Sequence, residues 1–167
     1  MRKILISTLL IIILYSCDEK VYFDIPLNEK PIFSNNDTIC FRKNNSTLID
    51  TFLVRITDEY EVSDKKYYHE FLTIKYIIIN RPLNNIEFYI DHNVSTSISV
   101  FEYYFPTIYK NESTTSINMN GKTYLSVYEK SNLNFPDTLP SRLYYSHSEG
   151  IIKYAYSDTL FYEIIDN

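Results

Sequence analysis

A chain of 167 residues has room for one domain with a real hydrophobic core and little more. Its formal charge is -5, with 21 acidic residues against 16 basic ones and no basic cluster, which argues against nucleic acid as a partner. Two Gly exclude most phosphate-cradling loops, and 17 Tyr and 10 Phe beside a single Ala favour strands over helices.

The first predicted element is a signal peptide over residues 1 to 16. Arg2 and Lys3 give it a positive start, and the 11 residues from Ile4 to Leu14 are apolar except for Ser7 and Thr8. As a helix that run covers about 16 Å, roughly half of a bilayer's hydrocarbon core, which suits a signal better than a membrane span. It ends in Leu14-Tyr15-Ser16-Cys17, a small residue directly before Cys and an aliphatic one three positions before it. That is the lipobox pattern, with Tyr15 a bulky departure inside it. Cleavage after Ser16 and a diacylglyceryl thioether on Cys17 are the expectation; two or more acyl chains hold a protein stably on a membrane.

Without Arg2 and Lys3, 14 basic residues face 21 acidic ones, a formal charge of -7. Membrane attachment would therefore rest on the lipid rather than on anionic headgroups. With Cys17 acylated, Cys40 has no partner for an intrachain disulfide or a two-Cys metal site and reads as a small buried hydrophobe. Neither a metal nor a cofactor is expected.

Residues 17 to 36, with Pro26, Pro31 and Ser34-Asn35-Asn36, read as a polar tether leading from the anchor to a β domain over 37 to 167. Asp37 to Lys43 is a short strand closed by Asn44-Asn45. From Leu48 to Ile56 one face carries Leu48, Asp50, Phe52, Val54 and Ile56. Tyr67 to Asn80 is the strongest strand, with Tyr68, Leu72, Ile74, Tyr76 and Ile78 alternating onto one face. A turn at 81 to 85 leads to Ile86, Phe88 and Ile90, then Asp91-His92-Asn93 turns the chain into Val94 to Val100.

Asn120-Gly121, between Ser116 to Met119 and Lys122 to Glu129, is a specific type I′ hairpin signal because both residues tolerate positive φ. Ser131 to Pro140 is a loop with two prolines. Leu143 to Ser146, Ile151 to Tyr156 and Leu160 to Ile165 complete the chain, with Gly150 free to take a φ its neighbours avoid. On the last of these runs but one, Ile152, Tyr154 and Tyr156 make an aromatic face that reads as core. The expected fold is all-β, a single antiparallel meander of about nine strands forming a barrel, half-barrel or sandwich.

The run Leu143-Tyr144-Tyr145-Ser146-His147-Ser148-Glu149-Gly150-Ile151-Ile152-Lys153-Tyr154, followed by Ser157-Asp158 and Phe161, resembles the ending of many small uncharacterised lipoproteins from Bacteroidetes. Those chains often end in a YYSxxxGIIKY-like pattern with an upstream NGKTY hairpin, matched here by Asn120 to Tyr124. This chain departs from them at Thr159, where Gly is common, and at Phe161 and Tyr162, where Trp is common. The resemblance implies a β fold and an envelope location, but no chemistry.

Catalytic candidates are few. His69, His92 and His147 are the only histidines. His92 adjoins Asp91 in a predicted turn, where both are ordinary residues. Ser146-His147-Ser148-Glu149 collects a nucleophile, a base and an acid, but neighbours on a strand point to opposite faces, whereas a triad must converge in space. Glu59 and Glu61 share a face that reads as a solvated acidic edge. No GxSxG, HExxH or CxxC occurs, so no catalytic residue is assigned. Asp37-Thr38-Ile39, Asp137-Thr138-Leu139 and Asp158-Thr159-Leu160 match the Asp-Ser/Thr-aliphatic sequon that resembles the O-glycosylation signal of Bacteroidetes envelope proteins, marking Thr38, Thr138 and Thr159; turn chemistry explains the same triplets.

The expected role is that of a lipid-anchored envelope protein, binding or structural rather than catalytic, with a protein, lipid or glycan partner. A hydrolase with dispersed catalytic residues is the alternative. Asp18 and Glu19, directly after Cys17, together with the resemblance, point to the outer membrane, facing the periplasm or the cell surface.

Overall fold

The computed structural model describes residues 19–79, 85–100 and 103–165. Cys17, the signal segment and residues 81 to 84 of the expected turn at 81 to 85 lie outside them. The described chain is nearly all antiparallel β, with one turn of 3-10 helix at Leu27–Glu29.

Eleven strands make one curled half-barrel sheet. In chain order they are β2 (Thr38–Lys43), β3 (Ile49–Asp64), β4 (Tyr67–Ile78), β5 (Asn85–Asp91), β6 (Thr96–Val100), β7 (Tyr103–Tyr104), β8 (Thr115–Met119), β9 (Lys122–Ser131), β10 (Arg142–Ser146), β11 (Gly150–Ala155) and β12 (Phe161–Ile165). A short β1 (Val21–Phe23) pairs in parallel with β4 outside that path. The spatial order is β7-β6-β5-β4-β3-β2-β12-β11-β10-β9-β8. Two meanders, β2 to β7 and β8 to β12, are therefore stitched together where the last strand returns to the second. Cys40 pairs with Ile165 and Lys43 with Tyr162 at that seam.

The curl follows from side-chain contacts across the concave face. Phe88 on β5 and Tyr145 on β10 are six strands apart in the sheet, a distance of about 29 Å if it were flat. Their rings lie 5.5 Å apart. Phe41, Phe52, Tyr76, Phe88 and Tyr145 are all fully buried in the space between. Alternation sets which side chains enter. On β4, Glu70, Leu72, Ile74, Tyr76 and Ile78 are buried while their neighbours are half-exposed, the face expected from sequence. The stretch 105–114, running between the two edges, crosses the open side. Phe105 and Ile108 are buried there, Phe105 packs on Phe135 at 4.8 Å, and Asn132 donates to the Tyr104 carbonyl at 2.9 Å.

The hairpin and glycine expectations hold. Asn120 and Gly121 both have positive φ, 53° and 82°, and Met119 pairs directly with Lys122. Gly150 has φ 70°, and a Cβ there would overlap the Tyr76 hydroxyl and lie 2.8 Å from Phe33 Cε2. Ile152 and Tyr154 are core, as read, but Ile151 and Ala155 are equally buried, so β11 is covered on both faces. Cys40 is only half-buried, 3.8 Å from the Thr51 hydroxyl across the pair of strands.

The largest difference concerns the tether. From Val21 onward the segment belongs to the domain, not to a free linker. The Val21 N–H donates to the Lys66 carbonyl and the Ile32 N–H to the Ser148 carbonyl. Ile25 is 2% exposed, and its N–H donates to Glu70 Oε2 at 2.5 Å. Lys30 pairs with the same buried Glu70 and with Asp58. Burial alone would pull the Lys30 pKa down, but these two carboxylates outweigh it and hold it above its ordinary value. Pro26 and Pro31 mark turns in a strap over the core rather than a flexible spacer.

Candidate functional site

Where the strap passes the turn between β10 and β11, a cleft of about 400 Å³ opens. Asn28 and Glu29 come from the strap, Lys110 and Glu112 from the crossing stretch, Ser126 and Tyr128 from β9, Ser146 from the end of β10, and His147 and Ser148 from the β10–β11 turn. Lys110 and Glu29 form an ion pair at 3.3 Å, and Lys130 caps Glu112. That contact with Lys130, only partly opposed by desolvation, holds the Glu112 carboxyl below its usual range.

Two local irregularities shape this wall. The β8–β9 ladder slips between Thr115 and Ile117, and opposite the slip Ser126 has φ 53°. A left-handed conformation costs a non-Gly residue roughly 1–2 kcal/mol, and such strain clusters where structure serves function. The bulge turns both Val127 and Tyr128 inward. His147 is the second irregularity. It is 6% exposed, sits edge-on to Tyr128 and Tyr145 with ring centroids 5.2 and 5.4 Å away, and neither of its nitrogens has a hydrogen-bond partner. Burial drives its pKa below the ordinary value, against the pull of Glu29 and with the push of Lys110. The ring is therefore neutral near pH 7. It holds one donor and one acceptor unused, each costing about 1–3 kcal/mol.

The sequence cluster around His147 does not assemble a triad. The Ser146 hydroxyl donates to the Leu125 carbonyl at 3.5 Å and lies 3.3 Å from the Ser148 hydroxyl, while Glu149 pairs with Lys122. A serine–histidine contact does form elsewhere, between Ser63 Oγ and His69 Nε2 at 2.7 Å on the β3–β4 hairpin. His69 stacks on Phe23 at 4.8 Å and lies 4.2 Å from the His92 ring. Its Nδ1 has no partner, so the orienting acid of a triad is missing. Asp91 is occupied by Ser95 and by the N–H of Asn93. Among the described residues no group of three metal-ligating side chains converges.

Thr38, Thr138 and Thr159 are all exposed. Turn chemistry operates at all three sequons. Asp37 accepts from the Ser34 N–H at 2.6 Å, the Leu139 N–H donates to the Pro136 carbonyl at 2.9 Å, and the Leu160 N–H donates to the Ser157 hydroxyl at 3.1 Å. Glu59 and Glu61 are exposed on β3, as the acidic-edge reading expects. The void lined by Phe52, Ile78, Ile86, Val100, Leu139 and Tyr154 holds about 20 Å³, room for a single water.

Sequence reasoning missed Glu29, Lys110, Glu112 and Tyr128 as neighbours of His147. No local signal joins residues that far apart along the chain. Comparison with family models, with curated proteins and with solved structures finds no match.

Proposed function

We propose that this chain is a lipid-anchored protein of the bacterial envelope whose domain binds, without transforming it, a hydroxyl-rich ligand of the glycan class in the His147 cleft. The observation that carries the reading is the neutral, buried His147 with two unused nitrogens in the wall of a cleft lined by three serines, a tyrosine and an ion pair. A small rotation of the ring toward the cleft would let a ligand hydroxyl satisfy either nitrogen, recovering part of that deficit. The cleft's volume lies within the range of small-molecule sites. The polar lining of this cleft favours a glycan over an acyl cargo there, and the core void of about 20 Å³ is too small for a fatty acid.

The lipobox at Cys17, the acidic residues after it and the Bacteroidetes-like ending support acylation and an outer-membrane location. Titration with oligosaccharides released from purified outer membranes and peptidoglycan tests the reading, followed through the His147 and Tyr128 ring resonances. Shifts at both rings, lost in Ser148→Ala, with the sugars recovered unaltered, support it. Unmoved His147 and Tyr128 resonances refute it, and cleaved sugars replace it with the hydrolase reading.

A further inference from the structure

The outer end of the β3–β4 hairpin projects beyond the rest of the sheet. β5 reaches β4 only as far as Phe71, so the four residues 67–70 extend about 13 Å past it. β1 fills part of the vacant edge, pairing Val21 with Tyr67, Tyr22 with Tyr68 and Phe23 with His69. The result is a three-stranded arm.

One face of this arm continues the core face into solvent. Tyr22, Val62 and Tyr68 lie side by side in the ladder, and Tyr60 stands one row further in. Tyr22 stacks on Tyr68 at 4.9 Å and meets Tyr60 edge-on at 5.4 Å, yet Tyr22 and Val62 remain about half exposed. Glu59 and Glu61 fall on the opposite face, level with Phe71 and His69. Lys20 lies over Tyr68 at 5.3 Å at the border of this stack, the Tyr60 hydroxyl donates to Asp24 at 2.7 Å, and Lys66 lies over Tyr67 on the opposite face. An exposed stack of tyrosines with a lysine at its border is a composition found where protein meets lipid headgroups.

Chain length decides which surface this end faces. Val21 is fixed to the hairpin turn by its bond to the Lys66 carbonyl. Only three residues, Asp18 to Lys20, separate it from Cys17, and the four Cα–Cα steps reach about 14 Å at full extension. An acylated Cys17 lies at the headgroups, so the hairpin tip must stay within that distance of the bilayer. The headgroup layer is itself about 5–8 Å deep on each side.

We propose that the arm formed by β1 and the outer ends of β3 and β4 rests on the lipid headgroup layer, with Tyr22, Tyr60 and Tyr68 at the interface, and so fixes how the domain stands on its membrane. This rests on acylation at Cys17, which supplies the attachment; the arm supplies orientation. The seat is aromatic, so an overall acidic domain can take it on zwitterionic lipid.

The chain has no Trp, which makes single-Trp reporters clean. Tyr22→Trp and Val62→Trp report on the arm. Leu133→Trp, 87% exposed in the loop beside the far end of β4, reports on the opposite end. Each full-length protein, processed in cells and purified in detergent, is weighed intact and reconstituted into phosphatidylcholine vesicles brominated near the headgroup. The expected result is acylated protein that pellets with vesicles, with fluorescence lost at both arm positions and kept at Leu133→Trp. Acylated, pelleting protein with equal quenching at all three positions, or with quenching at Leu133→Trp alone, overturns the orientation while leaving the anchor intact. An unacylated mass overturns the anchor and the orientation with it.

Discussion

Replacing Gly150 with Ala tests how tightly the strap is packed against the curled sheet. Two costs arise. Ala at φ 70° gives up roughly 1–2 kcal/mol relative to an unstrained backbone. Its methyl must also displace the Tyr76 hydroxyl and Phe33 Cε2. Tyr76 is fully buried, with rings of Phe52, Phe88 and Phe33 within 6.2 Å, so it has nowhere to go. Overpacking of this kind costs about 1–3 kcal/mol, and reduced freedom of the unfolded chain returns about 0.4–1 kcal/mol. The net loss is about 2–4 kcal/mol, or a melting temperature lower by roughly 5–15 °C for a domain of this size. Gly121→Ala is the matched control. Its φ is 82° but nothing lies within 4 Å of the added methyl, so only the backbone cost of about 1 kcal/mol applies. Urea unfolding followed by circular dichroism measures both. In a Tyr76→Phe background, where the hydroxyl is gone, Gly150→Ala should cost about 1 kcal/mol less. Equal losses at the two glycines, or no relief from Tyr76→Phe, would refute the packing argument.

Three further outcomes are expected. Lys30→Ala leaves the buried Glu70 carboxylate without its cation; because Lys30 itself is partly exposed, the loss should be about 2–3 kcal/mol, below the figure for a fully buried pair, and limited proteolysis should begin within 24–36. If the cuts in Lys30→Ala match those of the parent, the strap is not held by this pair. His147 is held below its unfolded pKa of 6.5, so the unfolded chain binds more protons, and stability present above pH 6.5 is lost as pH falls through and below it. His147→Phe should flatten that slope, which cannot exceed about 1.4 kcal/mol per pH unit for one group; parallel urea midpoints at pH 7.5 and 5 for both proteins would contradict it. Peptide mass spectrometry of protein made in its native envelope should find hexose-type additions on Thr38, Thr138 and Thr159 if the sequons are used, and unmodified peptides remove that reading.

How much was legible in sequence depended on how local the cause was. Alternation on β4 placed Leu72, Ile74, Tyr76 and Ile78 correctly because period-2 patterning needs no knowledge of the partner strand. Asn120-Gly121 and Gly150 were legible because φ preference belongs to the residue itself. β3 runs on to Asp64, well past the expected Ile56, because its outer half is exposed and acidic and carries no apolar signal. β1 is three residues long, and the prolines that follow it look like linker whether or not the segment docks. The seam between β2 and β12 and the crossing of 105–114 are set by sheet curl, a global property. The cleft inherits that difficulty. His147 stood out, but the residues facing it arrive from the strap, the crossing stretch and β9 only after the sheet has closed.

Both the proposed function and the seating of the arm depend on Cys17, and the intact mass of the protein made in a bacterial envelope tests it most directly. The account requires a chain that begins at Cys17 and carries a diacylglyceryl group with a further acyl chain on its amine, and a Cys17→Ala variant that lacks all of that mass and stays soluble or unprocessed. An unacylated chain, or a Cys17→Ala protein of unchanged processing and detergent partitioning, would contradict it.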